Sequence, residues 1–113
     1  MQLTVEQAAP GVQLIHLIGR LDIVGTQLVD LKFTAYTASR KAPVLVDLSQ
    51  VHYIASIGIR LLLTNASALD ASGAKMVLLQ PQPVVEQILR TAGLDQVMPI
   101  AGSIEEGLRI ISA

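Results

Sequence analysis

Apolar positions recur along the chain in short runs with two different periods. Two runs near the N-terminus, Leu3 to Glu6 and Val12 to Ile18, have the composition of strands, and the turn residues Ala8 to Gly11 between them predict a hairpin. Gly19 to Asp22 is interpreted as a loop. Apolar residues then recur at helical spacing: Val24, Leu28, Leu31 and Ala35. This spacing predicts a helix that ends near Lys41.

The middle of the chain combines a short, strongly apolar run with the longest helical pattern. Val44 to Leu48 is rich in β-branched residues, which is typical of a strand buried on both faces. A short connection then leads to a predicted helix from about Ser56 to Ala71, and Gly73 lies where a C-terminal cap is expected. The core stripe of this helix is predicted to be Ile59, Leu62, Leu63, Ala66 and Leu69.

The last third of the chain repeats the alternation of strand and helix. Lys75 to Leu79 predicts another buried strand, and a short helix ended by Gly93 follows it. The apolar residues of that helix are Val85, Ile88, Leu89 and Ala92. Val97 to Ile100 is predicted as a weak final strand. Ser103 to Glu106 has the capping-box spacing and opens a last helix, whose predicted buried face is Ile104, Leu108 and Ile111.

The order of these elements, β-β-α-β-α-β-α-β-α, predicts an α/β fold. Alternating strands and helices imply crossover connections, so we expect a mixed, mostly parallel sheet of about five strands with about four helices. The hairpin supplies the antiparallel strand. The chain has 113 residues, a length that fits one domain spanning residues 1–113.

Charge and composition argue against several classes of function. Eight basic residues against nine acidic ones leave a net charge of -1, so no basic field is available for nucleic acid. The chain has no Cys, which excludes disulfides and thiol chemistry. Its apolar runs are far shorter than the roughly 20 residues of a membrane span, and its N-terminal residues lack the features of a signal peptide. We therefore expect a cytoplasmic protein that binds neither nucleic acid nor membrane.

A serine between a strand and a helix invites comparison with a serine hydrolase. The nucleophile elbow has the form G-x-S-x-G, but the window Ile54 to Gly58 lacks the first glycine. In that fold the catalytic His follows the Ser, whereas His16 and His52 both precede Ser56 here. The residues therefore favour a protein that is not an enzyme. Chain order alone leaves open one other set, formed by Ser56, His52 and either Asp47 or Asp22.

Metal and nucleotide sites have little support in the sequence. His16 lies in a predicted strand and His52 in the predicted connection, and neither has a His or Cys partner at the spacing of metal ligands. The glycine-rich motifs that bind nucleotide phosphates are also absent. No metal or cofactor is therefore expected. Asp22 and Asp47 lie at or near predicted strand ends. Each either belongs to a functional site at this edge of the sheet or makes only local hydrogen bonds, with Asp22 starting the first helix and Asp47 accepting bonds from loop amides. Ser56 either caps its helix or carries a phosphate, and the residues alone leave that choice open.

The order of elements and the segment from Asp47 to Ile59 resemble the STAS domain, and within it the bacterial anti-sigma factor antagonists. The segment reads D-L-S-x-V-x-Y-I-x-S-x-G-I, and the family pattern runs roughly D-L-S-x-V-x-F-x-D-S-S-G-L. Gly19 to Asp22 resembles the family's Gly-x-Leu-Asp loop, and Ala92 to Asp95 resembles its Gly-Leu segment before the last strand. The likeness covers essentially the whole chain.

The resemblance implies a function by partner switching. The family's phosphorylated serine aligns with Ser56, whereas Ala55 stands where Asp is usual and Ile57 replaces a second Ser. The unmodified protein would bind an anti-sigma factor that is also a serine kinase of the histidine-kinase ATPase type. Phosphorylation of Ser56 would release the antagonist from the kinase, and a PP2C-type phosphatase would return the antagonist to its unmodified, binding form. The partner-binding surface expected on this basis is Asp22, Ile54, Ala55, Ser56, Ile57, Gly58 and Arg60.

STAS domains also serve as scaffolds or sensors in larger signalling assemblies, where no phosphate is needed. The two departures from the family pattern, at Ala55 and Ile57, keep this alternative open for the present chain.

Overall fold

Five strands and four helices follow the chain in the predicted order. The computed structural model describes all residues from Met1 to Ala113. Besides a single 3₁₀ turn at Leu94–Gln96, its elements are β1 (Gln2–Ala9), β2 (Val12–Leu21), α1 (Ile23–Tyr36), β3 (Val44–Ile54), α2 (Ser56–Ala71), β4 (Met76–Leu79), α3 (Pro83–Thr91), β5 (Ile100–Ala101) and α4 (Ile104–Ser112).

The strands form one sheet in the order β1-β2-β3-β4-β5. The first two strands pair antiparallel around a turn at Pro10 and Gly11, where Gly11 has a φ of 77° that favours glycine. All other neighbours pair in parallel and are joined by helical crossovers. The predicted mixed, mostly parallel sheet and the hairpin are therefore confirmed.

Two strands extend further than the sequence predicted. β2 continues through Leu21, so Gly19 to Leu21 is strand and not loop. β3 continues to Ile54 and therefore contains His52, which was assigned to a connection. These strands pair with each other along most of their length, from Gln13 opposite Val44 to Leu21 opposite Ile54, with two register shifts. Ladder hydrogen bonds to the neighbouring strand fix both ends, and local composition does not report them.

The last strand is shorter and later than predicted. Residues Leu94–Gln96 form the 3₁₀ turn, and the side chain of Val97 is exposed after it. Only Ile100 and Ala101 pair with β4, so the prediction of a strand from Val97 to Ile100 was wrong for most of its length. Two residues are enough for an edge strand that α4 covers.

The sheet has a core on each face. The larger core lies under α1, α2 and α3 and includes Ile15, Phe33, Val46, Leu62 and Leu89. The smaller core lies under α4 and consists of Val12, Leu14, Leu45, Val77, Leu79 and Ala101. Both faces of β4 are therefore covered, which explains its continuous run of four buried residues.

Helix α1 exposes the side chains from which it was predicted. Val24, Leu28 and Leu31 face solvent, and the helix buries a different set: Gly25, Thr26, Val29 and Phe33. The helix also ends at Tyr36, before the predicted end near Lys41, because turns follow it and Lys41 takes a φ of 55°. The apolar stripe that indicated this helix is therefore a surface of the molecule.

Helix α2 begins at Ser56 and ends at Ala71, as predicted. Three of its predicted core residues are fully buried, whereas Ile59 and Leu63 are half-buried at the edge of the core. Leu61 and Asn65 are buried instead, and the Asn65 amide donates to the Leu61 carbonyl at 2.9 Å. Gly73 follows the helix with a φ of 81°, which confirms the predicted glycine cap.

The last two helices keep their predicted caps and most of their predicted buried faces, except at Ala92 and Ile104. α3 buries Val85 and Leu89, and Gly93 follows it with a φ of 75°, while Ala92 is exposed. Ser103 caps α4 by accepting a hydrogen bond from the Glu106 amide at 3.1 Å. Ile104 is exposed, contrary to the prediction, because the closest approach of α4 to the sheet is at a glycine, Gly107.

No helix of this structure combines the length and the apolar composition needed to cross a bilayer. The longest, α2, has 16 residues.

Candidate functional site

Ser56 is the first residue of α2, and its side chain is exposed. The N-cap position before it is Ala55, which has extended backbone angles, and the helix receives no side-chain capping hydrogen bond. Of the two roles that the sequence left open for Ser56, helix capping is therefore not the one observed. The hydroxyl stands free at the start of a helix.

Close backbone contact fixes the start of α2 against the end of β2. The Ala55 amide donates to the Leu21 carbonyl at 2.9 Å. Three residues after Ala55, a Cβ on Gly58 would lie 2.8 Å from both Cβ and the carbonyl oxygen of Leu21, so only glycine fits there. Ile54 and Gly58 are both buried, and so they offer no side-chain surface to a partner. Their role at this site is to position Ser56, which corrects the expectation that both form a contact patch.

Asp22 caps α1 immediately beside this junction. Its carboxylate accepts a hydrogen bond from the Gly25 amide at 2.8 Å and one from Arg20 at 3.4 Å. The bond from Gly25, followed by the interaction with Arg20, lowers the pKa of Asp22 below its ordinary value. Asp22 therefore starts a helix, and its remaining exposed surface lies next to Ala55 in an open groove.

Gly25 and Tyr53 belong to this site and were not identified from the sequence. A Cβ on Gly25 would overlap the Arg20 carbonyl oxygen, so the first turn of α1 can close only on glycine. The Arg20 guanidinium lies over the ring of Tyr53, 4.5 Å from its centroid. The available signal for Gly25 was its place three residues after a capping Asp. No local pattern predicts the contact between Arg20 and Tyr53.

The exposed apolar surface near Ser56 comes from α1 and from the end of β3. An open groove of ≈ 310 Å³ is lined by Asp22, Ile23, Val24, Tyr53 and Ala55. Ile23 and Val24 are more than half exposed, and Tyr53 is 41% exposed. An apolar patch of the expected kind is therefore present, but it is built mainly from residues other than those expected.

The remaining two expected residues lie on α2 itself. Ile57 is half-buried and Arg60 is exposed, and both line the groove between α1 and α2 together with Asp30. Arg60 is four residues after Ser56, a spacing that places the two side chains on the same side of the helix. The first turn of α2 contains no acidic residue, in contrast to α4, which has Glu105 and Glu106 in its first turn. The start of α2 is therefore suited to an added negative charge.

The alternative Ser-His-Asp set is not assembled. The ring of His52 is 3.3 Å from the Gln82 amide nitrogen, and Asp47 bonds to the Ser49 amide at 2.8 Å and to His16 at 2.7 Å. Neither His52 nor Asp47 is hydrogen-bonded to Ser56, so the geometry provides no general base for this hydroxyl. Asp47 lies inside β3, not at a strand end, and the predicted local bond to a backbone amide is present.

His16 links three strands through two carboxylates. Its Nε2 is 2.6 Å from a Glu6 oxygen on β1, and its Nδ1 is 2.7 Å from an Asp47 oxygen on β3. Burial lowers the pKa of His16, but hydrogen bonds and charge from the two carboxylates outweigh it, and the net pKa lies above 6.5. Burial likewise raises the pKa of Asp47, and its bonds from Ser49 and His16 lower it to a net value below 3.8.

The charged form of His16 makes the stability of the protein depend on pH. A folded-state pKa that is raised adds stability below the unfolded pKa, and this stability is lost as pH rises through the folded value. We therefore expect the free energy of unfolding in urea to fall as the pH rises above about 6.5, the ordinary pKa of histidine. His16→Gln should show a smaller fall over the same rise in pH. An equal fall in both proteins would assign the pH dependence to other groups.

Comparison with known proteins identifies the family. The model of the STAS domain family matches residues 5–107, and the chain therefore belongs to this family. A curated relative, BtrV of Bordetella bronchiseptica, is 26% identical over 105 residues, which make up 93% of this chain and 90% of the relative. BtrV is provisionally named an anti-sigma factor antagonist.

Solved structures with this fold carry similar descriptions. An anti-sigma factor antagonist from Mycobacterium paratuberculosis has a TM-score of 0.85 at 21% identity, with 99% of this chain and 94% of that chain covered. The anti-sigma factor antagonist SpoIIAA in its unphosphorylated form has a TM-score of 0.77 at 21% identity, with coverage of 99% and 98%. The phosphorylated form of Bacillus SpoIIAA has a TM-score of 0.72 at 23% identity, with coverage of 96% and 99%. These likenesses establish the fold.

Proposed function

We propose that this protein is an anti-sigma factor antagonist that acts by partner switching, with Ser56 as its phosphorylated residue. The unmodified protein binds an anti-sigma factor that is also a serine kinase of the histidine-kinase ATPase type, and the sigma factor is freed. The kinase transfers a phosphoryl group from ATP to Ser56, and the complex dissociates. A PP2C-type phosphatase hydrolyses the phosphoserine. The protein itself is a binding protein of the cytoplasm and not an enzyme.

One observation carries this proposal. The Ser56 hydroxyl is exposed at the first position of α2 and is not used to cap the helix, so a kinase can reach it without unfolding any element. The relatives support the same interpretation. BtrV, the mycobacterial protein and SpoIIAA are all described as anti-sigma factor antagonists, and SpoIIAA is known in phosphorylated and unphosphorylated forms.

The isolated protein can hold a phosphate at Ser56. A phosphoserine carries a charge of about -1.5 to -2 at neutral pH. The first turn of α2 has no acidic residue to repel it, and the helix has no side-chain cap that competes for its free amides. Arg60 lies one helical turn further on and supplies a cation on the same side. Phosphorylation is therefore expected to leave the fold intact.

The same charge is unfavourable inside an interface. The surface next to Ser56 is the open groove that includes Ile23, Val24 and Tyr53, all of which are exposed apolar or aromatic side chains. A partner that covers this groove removes water from Ser56 as well. Removing water from an ionised group costs free energy unless the partner supplies a matching cation, so the phosphorylated protein binds more weakly. Phosphorylation therefore acts as a release signal that requires no change of shape.

Ser56→Ala tests the site of modification. When the purified protein is incubated with ATP and the anti-sigma factor kinases of its own genome, we expect phosphate incorporation into the unaltered chain and none into Ser56→Ala. Because alanine retains the shape of the exposed position, partner binding should remain within about twofold. Incorporation is measured by intact-protein mass spectrometry, and binding by calorimetric titration.

Ser67→Ala is the matched control, because Ser67 is also an exposed serine on α2. It should be labelled as fully as the unaltered chain. Undiminished labelling of Ser56→Ala would move the modified residue elsewhere and overturn the proposed site. Treatment of the labelled protein with a PP2C-type phosphatase should restore the original mass and the original affinity for the kinase.

Ala55 favours a second candidate function. The family pattern has Asp at the N-cap position, whereas Ala55 has no carboxylate or hydroxyl there. A kinase that recognises this Asp would therefore lack one contact with the present chain. The protein would then be a STAS scaffold or sensor in a larger signalling assembly, without phosphorylation. Mass spectrometry of the protein isolated from its native cells under several growth conditions separates the two. A phosphate on Ser56 supports the switch, and its consistent absence supports the scaffold.

A further inference from the structure

Helix α1 presents a continuous apolar stripe to solvent. The stripe, called the outer stripe below, consists of Val24, Leu28, Leu31 and Ala35, which follow one another at spacings of four, three and four residues. Val24 is 65%, Leu28 68% and Leu31 89% exposed. Such positions lie on one side of a helix. The opposite side of α1 packs on the core through Val29 and Phe33.

A helix that is apolar on two sides is normally covered on both. The outer stripe concentrates three large side chains on one helix, whereas α3 exposes only one, Val84. Contiguous exposed apolar patches of roughly 300–600 Å² are the largest on typical monomers and commonly mark interaction sites. The outer stripe is therefore a surface that another molecule is expected to cover.

The surroundings of the outer stripe favour a protein partner over a membrane or a second copy. Interfacial membrane helices carry a Lys- and Arg-rich polar face, but Lys32 is the only basic residue of α1. A stable interface buries about 800 Å² on each partner, more than four side chains provide, so the stripe alone is too small to hold two copies together. It is, however, continuous with a second surface.

That second surface is the groove beside Ser56. Val24 is the first residue of the outer stripe and also lines the groove, together with Tyr53 and Ala55. Ala55 is adjacent to Ser56 in the chain. A partner that covers Ser56 through this groove therefore reaches the outer stripe without a gap, and the two surfaces together offer more area than the stripe alone.

From this continuity we infer that the outer stripe of α1 docks into an apolar groove of the anti-sigma factor kinase that acts on Ser56, and so forms the constant part of a two-part interface. The inference rests on the proposed function. Anchors at spacings of four, seven and eleven residues along one helix are the pattern of helix-in-groove recognition. Leu31 lies about 10 Å along the helix from Val24, so the far end of the stripe is away from the phosphate.

The two parts have different tasks. The Ser56 end carries the charge that switches binding, and the outer stripe supplies apolar area that phosphorylation does not alter. A charge placed on Leu31 should therefore weaken binding of the kinase to unmodified protein, although Leu31 is remote from the site of modification. An interface confined to the surroundings of Ser56 does not give this result.

The test compares Leu31→Glu with Val84→Glu. Val84 is an exposed apolar residue in the first turn of α3, 64% exposed, so this control adds the same charge to another exposed helix position. Affinity for each purified anti-sigma factor kinase of the source genome is measured by calorimetric titration at matched ionic strength. We expect Leu31→Glu to weaken binding at least tenfold and Val84→Glu to change it less than twofold. Circular dichroism and urea unfolding check that both variants fold.

The outcomes separate this inference from the function on which it rests. If Ser56→Glu weakens binding but Leu31→Glu binds like the unaltered chain, partner switching stands and the docking role of α1 is wrong. If the unaltered chain binds none of the kinases, both proposals fail together. Sedimentation of the free protein completes the test: a dimer that Leu31→Glu disrupts, with unchanged kinase binding, assigns the outer stripe to a second copy and overturns the inference.

Discussion

Ser56→Glu is expected to bind the anti-sigma factor kinase roughly 100-fold more weakly than the unaltered chain, a loss of about 2.7 kcal/mol. The glutamate places a permanent negative charge at the position where the hydroxyl is now exposed. When the partner covers the groove beside Ser56, this charge loses its water. The groove that the partner covers is lined by apolar and aromatic side chains such as Val24 and Tyr53, which do not replace that water.

The same substitution should leave the folded protein as stable as before, or more so. A carboxylate in the first turn of a helix gains about 0.3–1 kcal/mol from the helix dipole. A carboxylate four residues before an arginine, here Arg60, gains about 0.2–0.5 kcal/mol more. Urea unfolding should therefore show a midpoint at or above that of the unaltered chain. Loss of affinity in a protein that is not destabilised identifies a change in the interface and excludes a general loss of structure.

Ser56→Gln is the matched control for this experiment. Glutamine has the size and shape of glutamate without its charge, so it separates electrostatic exclusion from steric exclusion. We expect Ser56→Gln to retain most of the binding that Ser56→Glu loses. Equal affinities of Ser56→Glu and the unaltered chain, measured by calorimetric titration, would contradict the release mechanism. If Ser56→Gln and Ser56→Glu lose the same affinity, the cause of release is steric hindrance and not charge.

The sequence predicted the parts of the fold that local chemistry determines. The start of α2 at Ser56, the glycine cap at Gly73 and the Ser103 cap of α4 were all found, because each depends on residues within one helical turn. The ends of β2 and β3 were not found. Those ends depend on hydrogen bonds to a neighbouring strand that is distant in the chain, and no local signal reports them.

Helix α1 shows a different limit of periodicity. Its spacing was interpreted correctly as helical, but Val24, Leu28 and Leu31 face solvent while Val29 and Phe33 face the core. When both sides of a helix are apolar, the period is evident and the direction of the core is not. An apolar interaction surface and a core face have the same composition, so only the tertiary structure shows which side of the helix is which.

The candidate site was predicted in part. Ser56 and Asp22 were singled out by their places at a predicted helix start and near a predicted strand end, and the resemblance to the STAS family supported both. In the structure both lie at helix starts, with Asp22 lining the groove and Ser56 adjacent to its lining residue Ala55. Ile54 and Gly58, which were expected in the contact patch, are buried, because the start of α2 packs against Leu21 at the end of β2. The close approach at Gly25 is to the Arg20 carbonyl, five residues earlier in the chain, and its one sequence signal was the place of Gly25 three residues after a capping Asp.

Gly25→Ala is expected to destabilise the protein by about 3 kcal/mol or more. A Cβ at this position would overlap the Arg20 carbonyl oxygen, which is backbone and cannot rotate away as a side chain would. The first turn of α1 would have to move, and with it Asp22, whose carboxylate accepts the Gly25 amide at 2.8 Å. The substitution therefore removes packing space and a helix cap together.

Gly102→Ala is the matched control, because its Cβ would meet only the Glu106 carboxylate at 3.6 Å, an ordinary contact. Alanine lowers the conformational entropy of the unfolded chain. The free energy of unfolding of this variant should therefore be within about 1 kcal/mol of that of the unaltered protein, or slightly higher. Urea unfolding of both variants measures the difference. A Gly25→Ala protein that unfolds at the same urea concentration as Gly102→Ala would show that the junction of β2 and α1 can relax. Since that junction holds Asp22 and the groove beside Ser56, a destabilised Gly25→Ala should also lose partner affinity, although Gly25 itself is buried and does not line the groove.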